Sequence, residues 1–174
     1  MTTVEAATPI GAARWPVYLW PAECLSTVAK PIVAFDAGLE GLVEWLRGAQ
    51  ASTRGLGVAA PQVGIPGSVF IWRWDDEVRV AVNPTIEVLG TETVIADEGC
   101  LSMPGVFVQI ERPAKVRLRA RDVLNKRFSH TAEGTEARIL CHEMDHLEGR
   151  MIIDRVSRQR RRDVLRHWEK RRVA

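Results

Sequence analysis

The stretch CHEMDHLEGRM, residues 141–151, contains two histidines four positions apart, with a glutamate directly after the first. On an α-helix, side chains four residues apart lie on nearly the same face, so His142 and His146 can reach one metal ion while Glu143 flanks it. The helical pattern extends from about residue 135 to 147. The stretch therefore predicts a metal-binding helix and raises the question of which residue is the third protein ligand.

Four positions are considered for that third ligand, and three of them hold a residue that can bind a metal. One class of zinc protease continues the motif as HExxHxxGxxH, but Ile152 stands where the third histidine is needed. Cys141 adjoins the motif, yet neighbouring helical residues diverge by about 100°, which points its thiol away from an ion held by the histidines. Glu169 lies in an arginine-rich tail, where simple exposure to solvent explains it. Cys100 lies in the turn-rich segment DEGCLSMPGV, and from spacing alone metal ligation and core packing explain it equally well.

Hydrophobic periodicity outlines the remaining elements. A helix is predicted from the N-cap candidate Asp36 to about Gly48, and a second from about residue 157 to 171. The segment STRGLGVAAPQVGIPGS (52–68) contains four glycines and two prolines and is predicted as a structured loop. A hairpin turn is predicted at DDE (75–77). Strands are predicted over residues 68–74, 78–84, 86–94, 106–110 and 115–121. The sum is an α+β fold: mostly antiparallel sheets packed around a central helix that carries HExxH, with a C-terminal helix.

The composition favours one intracellular globular domain. The chain has 174 residues, of which 46% are hydrophobic, enough to bury a core. No stretch approaches the roughly 18 apolar residues of a membrane span, and three widely spaced cysteines do not suggest a disulfide framework. We therefore expect a single domain over residues 1–174, a cytoplasmic monomer with no membrane association, in which residues 1–14 are loosely ordered.

The positive charge is concentrated at the C-terminus. Residues 155–174 hold nine of the 24 Lys/Arg and two of the 22 Asp/Glu. Residues 1–154 therefore carry 15 cationic and 20 acidic side chains, a formal charge of −5. A basic C-terminal helix of this kind is either a solvated amphipathic helix or a surface that attracts phosphate.

Three segments together resemble the signature motifs of bacterial peptide deformylases. They are GLGVAAPQVG (55–64), EGCLS (98–102) and HEMDHLEG (142–149), and the likeness extends from about Val17 to Leu165. The resemblance implies a metal centre built from specific positions of this chain. These are the ligands Cys100, His142 and His146, the acid/base Glu143, the oxyanion donors Gln62 (side-chain amide) and Leu101 (backbone N–H), and the substrate-lining residues Gly55, Leu56 and Gly57.

Amide hydrolysis is the chemistry that such a centre supports. One thiolate and two imidazoles leave a divalent ion with a net charge of about +1 and an open position for water, whose pKa falls toward about 7. The resemblance implies that the substrate is formylmethionine at the start of a nascent polypeptide and that formate is released. It also implies Fe²⁺ as the metal, with Zn²⁺ or Ni²⁺ able to occupy the site, and ribosome contact through the basic C-terminal helix. Three alternatives are a deformylase for a non-ribosomal N-formyl substrate, an HExxH endopeptidase and a catalytically silent ribosome-binding homologue.

Two departures from the family pattern stand out. The position before the HExxH motif, usually Gln, is Cys141, which removes an amide from the surroundings of the metal. An Asp-Pro-Val-Leu-Arg-like stretch near the N-terminus is replaced by WPAECLSTVAKP (20–31), so substrate entry is expected to differ.

Overall fold

The computed structural model describes residues 16–173, which form three α-helices and seven β-strands. The helices are α1 (Ala37–Thr53), α2 (Gly134–Leu147) and α3 (Arg158–Val173). The strands are β1 (Gly57–Ala59), β2 (Val69–Trp74), β3 (Glu77–Val88), β4 (Thr93–Cys100), β5 (Met103–Pro113), β6 (Lys115–Arg121) and β7 (Arg127–Glu133). The α+β prediction is confirmed, and the prediction of loose order for residues 1–14 lies outside the described residues.

All strand pairs within the two sheets are antiparallel. The larger sheet has the order β1-β2-β3-β6-β7, and β4 and β5 form a separate hairpin. The predicted DDE turn is confirmed between β2 and β3: Asp75 and Asp76 both have positive φ angles, of 49° and 61°. Positive φ at both central residues is typical of the type I′ turn, whose twist matches that of the flanking strands.

Two helices cover opposite faces of the larger sheet. Phe70 and Trp72 of β2 pack in the same buried cluster as Leu140 of α2. Ile71, which alternates with them, packs with Leu46 of α1 in a second cluster. Because successive strand residues point to opposite faces, the sheet is enclosed between α1 and α2 at this point, and α2 becomes the central helix.

α1 is longer than the sequence predicted. Asp36 caps its N-terminus as expected, since the carboxylate accepts hydrogen bonds from the backbone N–H of Gly38 (2.9 Å) and Leu39 (3.4 Å). The predicted end near Gly48 is wrong, because the next turn supplies two more buried residues, Ala49 and Gln50. Core contacts therefore outweigh the low helix propensity of one glycine.

Several predicted boundaries need correction. The strand predicted over 78–84 continues to Val88 as β3, and the strand predicted over 106–110 is part of the longer β5, Met103–Pro113. The single strand predicted over 86–94 is divided by a turn at Gly90 (φ 81°), so β3 ends before it and β4 begins after it. The predicted loop 52–68 contains β1 and a 3-10 turn at Ala60–Val63. β7, with the sequence RFSHTAE, was missed because only two of its side chains are clearly apolar.

The C-terminal helix is confirmed, with observed bounds close to the predicted ones. Val164 and Trp168 of α3 are buried, and the Trp168 indole N–H donates to the backbone carbonyl of Trp20 (3.2 Å). Among residues 16–173, no helix has the length and apolar character required to cross a lipid bilayer.

Candidate metal centre and cleft

α2 presents the two histidines of the HExxH motif on one face. His142 and His146 are one helical turn apart, and their ring centroids are separated by 4.9 Å. The helix starts at Gly134, which has a φ of 56° and follows β7 directly. The sharp change of direction needs a left-handed conformation that glycine adopts at no steric cost, and it turns the chain from the sheet edge into the core.

Cys100 completes a group of three metal-ligating side chains. It lies at the end of β4, where the hairpin turns into β5, and its Sγ is 3.3 Å from Nε2 of His146. The ligand atoms of Cys100, His142 and His146 all lie within 4.8 Å of one another. In the part of the chain that the structure describes, no other three His, Cys, Asp or Glu side chains form such a group. Cys141 is not part of it, as its position on the helix predicts.

Glu143 lies beside this group and is almost completely enclosed. The residue is 3% exposed, and within residues 16–173 its Oε2 has no hydrogen-bond partner. Burial raises the pKa of Glu143 to about 7, because a charged carboxylate is poorly solvated there. The backbone of Gly57 lies so close that a Cβ at that position would be 2.2 Å from Glu143 Oε1.

Gln62 is held in one orientation by its neighbours. Its side-chain carbonyl accepts a hydrogen bond from the Ala59 backbone N–H (3.0 Å), so its amide NH₂ faces the other way. That NH₂ group lies 3.7 Å from Cys100 Sγ and 3.2 Å from the Ser102 hydroxyl. Sequence reasoning gave no role to Ser102, although it lies within the EGCLS motif and is fully buried.

Most of the predicted site residues line one cleft, which has a volume of about 710 Å³. Residues 54–57, which lead from α1 into β1, form one wall, and the β4–β5 turn with Leu101 and Phe107 forms another. β1 is an edge strand of the larger sheet, since it pairs only with β2. The predicted site residues Gly55, Leu56, Gly57, Gln62, Cys100, Leu101, His142 and Glu143 all line the cleft, and His146 is buried behind them.

A buried carboxylate, Glu98, orients one of the histidines. Its Oε2 lies 3.1 Å from Nδ1 of His142, and both of its oxygens accept hydrogen bonds from the Arg112 guanidinium (2.8 and 2.9 Å). Arg138 adds a third hydrogen bond, from its Nη1 to Oε1 of Glu98 (2.7 Å). Burial acts to raise the pKa of Glu98, but the hydrogen bonds and charges of Arg112 and His142 outweigh it and hold the pKa at about 2. Glu98 therefore stays ionised beside the histidine.

The same arginine connects Glu98 to Asp145 of α2. Arg112 Nη1 donates to Asp145 Oδ2 (2.7 Å), and Asp145 also accepts from Arg155 (Nε, 3.0 Å). Sequence reasoning missed this network. A signal was present, because Arg112 occupies the inward-facing phase of β5 after Val108 and Ile110, and a charge at such a position requires a buried partner.

Comparison with known proteins identifies the family. The pattern described as Polypeptide deformylase matches residues 15–162. The chain belongs to the polypeptide deformylase family. It is 36% identical over 145 residues to the peptide deformylase of Treponema pallidum, and the aligned region covers 83% of this chain and 90% of that protein. It is also similar to the crystal structure of a peptide deformylase from Legionella pneumophila, with a TM-score of 0.84 and 34% identity over 90% of this chain and 94% of the other. The structure of a peptide deformylase from Synechococcus elongatus in complex with actinonin gives a TM-score of 0.83 at 30% identity, and the match covers 94% of this chain and 93% of the other.

The donor set of this family member suits a divalent transition metal. One thiolate and two imidazoles are ligands that Zn²⁺, Fe²⁺ and Ni²⁺ accept in proteins. A carboxylate at Nδ1 of His142 fixes that nitrogen as the N–H donor, which leaves Nε2 as the ligating atom. Cys100 and His146 are both buried, whereas His142 is partly exposed at the cleft.

The two departures from the deformylase pattern lie behind the cleft. Burial raises the pKa of Cys141 to about 11, so its thiol stays protonated at neutral pH. The first residue of the N-terminal segment, Trp20, donates its N–H to the Ser102 backbone carbonyl (2.9 Å), and Tyr18 just before it donates to the Gln62 backbone carbonyl (2.7 Å). None of residues 20–31 lines the cleft. The segment therefore supports the site from behind, and the expectation that it changes substrate entry gains no support.

Proposed function

We propose that this protein is a metal-dependent peptide deformylase, which hydrolyses the N-formyl group of formylmethionine at the start of newly made polypeptides and releases formate. The observation that carries the proposal is the convergence of Cys100, His142 and His146 beside Glu143 in one cleft. Membership of the deformylase family supports the same reaction. The complete set of reactive side chains argues against a catalytically silent homologue.

Cys100, His142 and His146 would hold one metal ion, Fe²⁺ in the cell, with Zn²⁺ or Ni²⁺ able to replace it. When bound, such an ion supplies Lewis acidity, which polarises a carbonyl and makes water acidic enough to attack near neutral pH. Glu98 keeps the His142 ring in the tautomer and orientation that ligation requires.

Glu143 is the proposed acid/base. Its carboxylate takes a proton from the attacking water and delivers it to the amide nitrogen, so that the formyl C–N bond breaks to give formate and a free amino group. A pKa of about 7 suits both steps, since the group can accept and release a proton at the pH at which it works.

Gln62 and Leu101 are the proposed oxyanion donors. The Gln62 side-chain NH₂ already faces Cys100, because the Ala59 N–H fixes the other end of the amide. Leu101 follows Cys100 in the turn and lines the cleft, so its backbone N–H is the second donor in this proposal. Preorganised donors stabilise the charge that develops on the carbonyl oxygen without having to reorient during the reaction.

Gly55, Leu56 and Gly57 are the proposed binding site for the substrate backbone. β1 begins at the cleft with Gly57 and has a free edge, and an extended peptide can add to such an edge as a further strand. Gln50 holds the segment from the other side, with its Nε2 donating to the Leu56 carbonyl (3.0 Å). Main-chain pairing of this kind gives affinity with little dependence on the side chains of the substrate.

The test is formate release from formyl-Met-Ala-Ser, measured anaerobically with metal content determined on the same sample. We expect one formate per new amino terminus, and a loss of about 10²- to 10⁴-fold in the Glu143→Ala variant. The Cys141→Gln variant, which restores the usual family residue, should retain turnover. Unchanged turnover in Glu143→Ala would exclude this mechanism, and cleavage of an internal bond in an unformylated peptide would indicate an endopeptidase.

We propose further that the protein acts as a cytoplasmic monomer, one catalytic domain whose α3 helix contacts the ribosome. Val164 and Trp168 fix one side of α3 to the core, while Arg158, Arg160 and Lys170 are exposed. Clustered cations bind RNA phosphate in a manner that weakens steeply with salt. Cosedimentation with ribosomes should therefore weaken as salt is raised and should decrease in a variant with Arg158→Glu and Arg160→Glu. Equal cosedimentation of that variant would exclude α3 as the contact.

A further inference from the structure

Arg54 is exposed at the mouth of the cleft. It follows the last residue of α1, Thr53, and it precedes Gly55 in the wall that leads to β1. Its backbone adopts the left-handed conformation, with φ 57° and ψ 28°. The position is therefore the helix C-terminal cap, where glycine or asparagine is usual because a Cβ is strained in this conformation.

The Arg54 side chain has no structural partner among the described residues. No ion pair or hydrogen bond involves its guanidinium within residues 16–173. Arg112 and Arg138, by contrast, are anchored by the Glu98 carboxylate. A strained backbone position that retains a long, unanchored cation at the edge of a reactive cleft is a candidate for ligand contact.

The course of the cleft places Arg54 along the path of the substrate. Gly57 touches Glu143, and the wall continues outward through Leu56 and Gly55 to Arg54. Three positions separate Arg54 from Gly57 along this wall, so a substrate chain paired with Gly57 meets Arg54 about two to three residues beyond its formyl end. On the β4 wall the exposed Asp97 lines the same cleft and also has no ion pair among the described residues, so the two walls differ in charge.

We propose that Arg54 is a specificity-determining residue that binds a carboxylate at the third or fourth residue of the formylated chain, counting formylmethionine as the first. The inference rests on the proposed deformylase function and adds a substrate preference to it. A guanidinium recognises a carboxylate through two parallel N–H donors. A glutamine in the substrate has nearly the same shape as glutamate but carries no charge, so the guanidinium binds it more weakly. Chains with Asp or Glu at these positions should therefore be deformylated faster than chains with Asn or Gln.

The test compares C-terminally amidated formyl peptides that differ only in Glu against Gln, placed in turn at positions two to five. For the unmodified protein, kcat/KM should favour Glu about three- to fivefold at position three or four, the range expected for a solvent-exposed ion pair. The preference should decrease as salt is raised. Formyl-Met-Ala-Ser is also compared as the free acid and as the C-terminal amide. This pair measures the effect of a terminal carboxylate separately from that of a side-chain carboxylate.

Variants assign the preference to Arg54. The Glu/Gln ratio should fall to about one in Arg54→Gln, persist in Arg54→Lys and invert in Arg54→Glu. Arg47 is exposed on α1 but does not line the cleft, so Arg47→Gln is the matched control and should keep the ratio. Turnover of the Gln peptides with a ratio that does not depend on residue 54 would overturn this inference alone. Absence of formate release from every peptide by the metal-loaded protein would instead overturn the proposed function.

Discussion

The backbone of Gly57 lies against the Glu143 carboxylate, which leaves no space for a side chain at residue 57. In a Gly57→Ala variant the new methyl would lie 2.2 Å from Oε1, so the carboxylate must move. We expect kcat/KM to fall by about 10²-fold, because a displacement of about 1 Å in a reacting group has effects of that size. The measurement is formate release by the metal-loaded variant.

Gly41 is the matched control for that substitution. It lies within α1, and a Cβ built there meets nothing within 4 Å. Gly41→Ala should leave turnover unchanged and stabilise the protein by about 0.5–1 kcal/mol, since alanine is the better helix former. Full activity in Gly57→Ala would show that Glu143 does not need its present position.

The side-chain carbonyl and NH₂ group of Gln62 have different partners, and one substitution can remove the NH₂ group while keeping an acceptor oxygen. Gln62→Glu keeps an oxygen to accept from the Ala59 N–H but removes the NH₂ group that faces Cys100. We expect kcat to decrease by about 10²- to 10³-fold, the usual effect of losing one oxyanion donor. Gln109→Glu, on the exposed face of β5, should have no effect on kcat. A KM change without a kcat change in Gln62→Glu would assign the residue to binding instead.

At the level of elements, Arg112 joins β5 to α2. Its side chain is 4% exposed and pairs with both Glu98 and Asp145. Arg112→Met would leave two buried carboxylates without their shared cation, which costs about 3–5 kcal/mol. Denaturant unfolding measures the loss, and metal content measured on the same variant should decrease because Glu98 orients His142.

Arg117 provides the corresponding control on β6. It pairs with Glu87 across an exposed sheet face, with about 40% of each side chain accessible. Arg117→Met should change stability by no more than about 1 kcal/mol, because solvent screens the pair. Equal effects of the two substitutions would mean that burial of the Arg112 network contributes nothing to stability.

Some elements could be predicted from sequence and others could not. α2 and the 115–121 strand were predicted well because their apolar residues follow one clear period. β1 has three residues and is buried throughout, so it carries no periodicity, and its pairing with β2 is a tertiary contact. The extension of α1 past Gly48 likewise depends on what its last turn packs against.

At the level of the whole molecule, the candidate metal centre links β4 to α2. Loading the protein with metal at about 100 times Kd should add about 2.7 kcal/mol of stability, which raises Tm by about 5–10 °C for a chain of this size. Chelation should reverse the shift. Cys100→Ser should abolish most of it, whereas Cys24→Ser should retain it, because Cys24 is not in the ligand group. A shift that survives Cys100→Ser would remove that residue from the site.

The sequence by itself determined the local parts of this protein. The spacing of His142 and His146 placed both on one face of a helix. Three motifs together indicated the family and the proposed ligands, acid/base, oxyanion donors and substrate-lining residues, but gave no role to Ser102 or Glu98. The tertiary structure decided what these parts meet: Cys100 lies against His146 across 46 residues of chain, and Gln62 lies against Cys100 across 38. It also decided the Glu98–Arg112–Asp145 network, the contact between Gly57 and Glu143, and the position of Arg54 at the cleft. The reason is physical: helical period and turn preference act over a few residues, whereas these contacts depend on how the hairpin, the edge strand and α2 pack together.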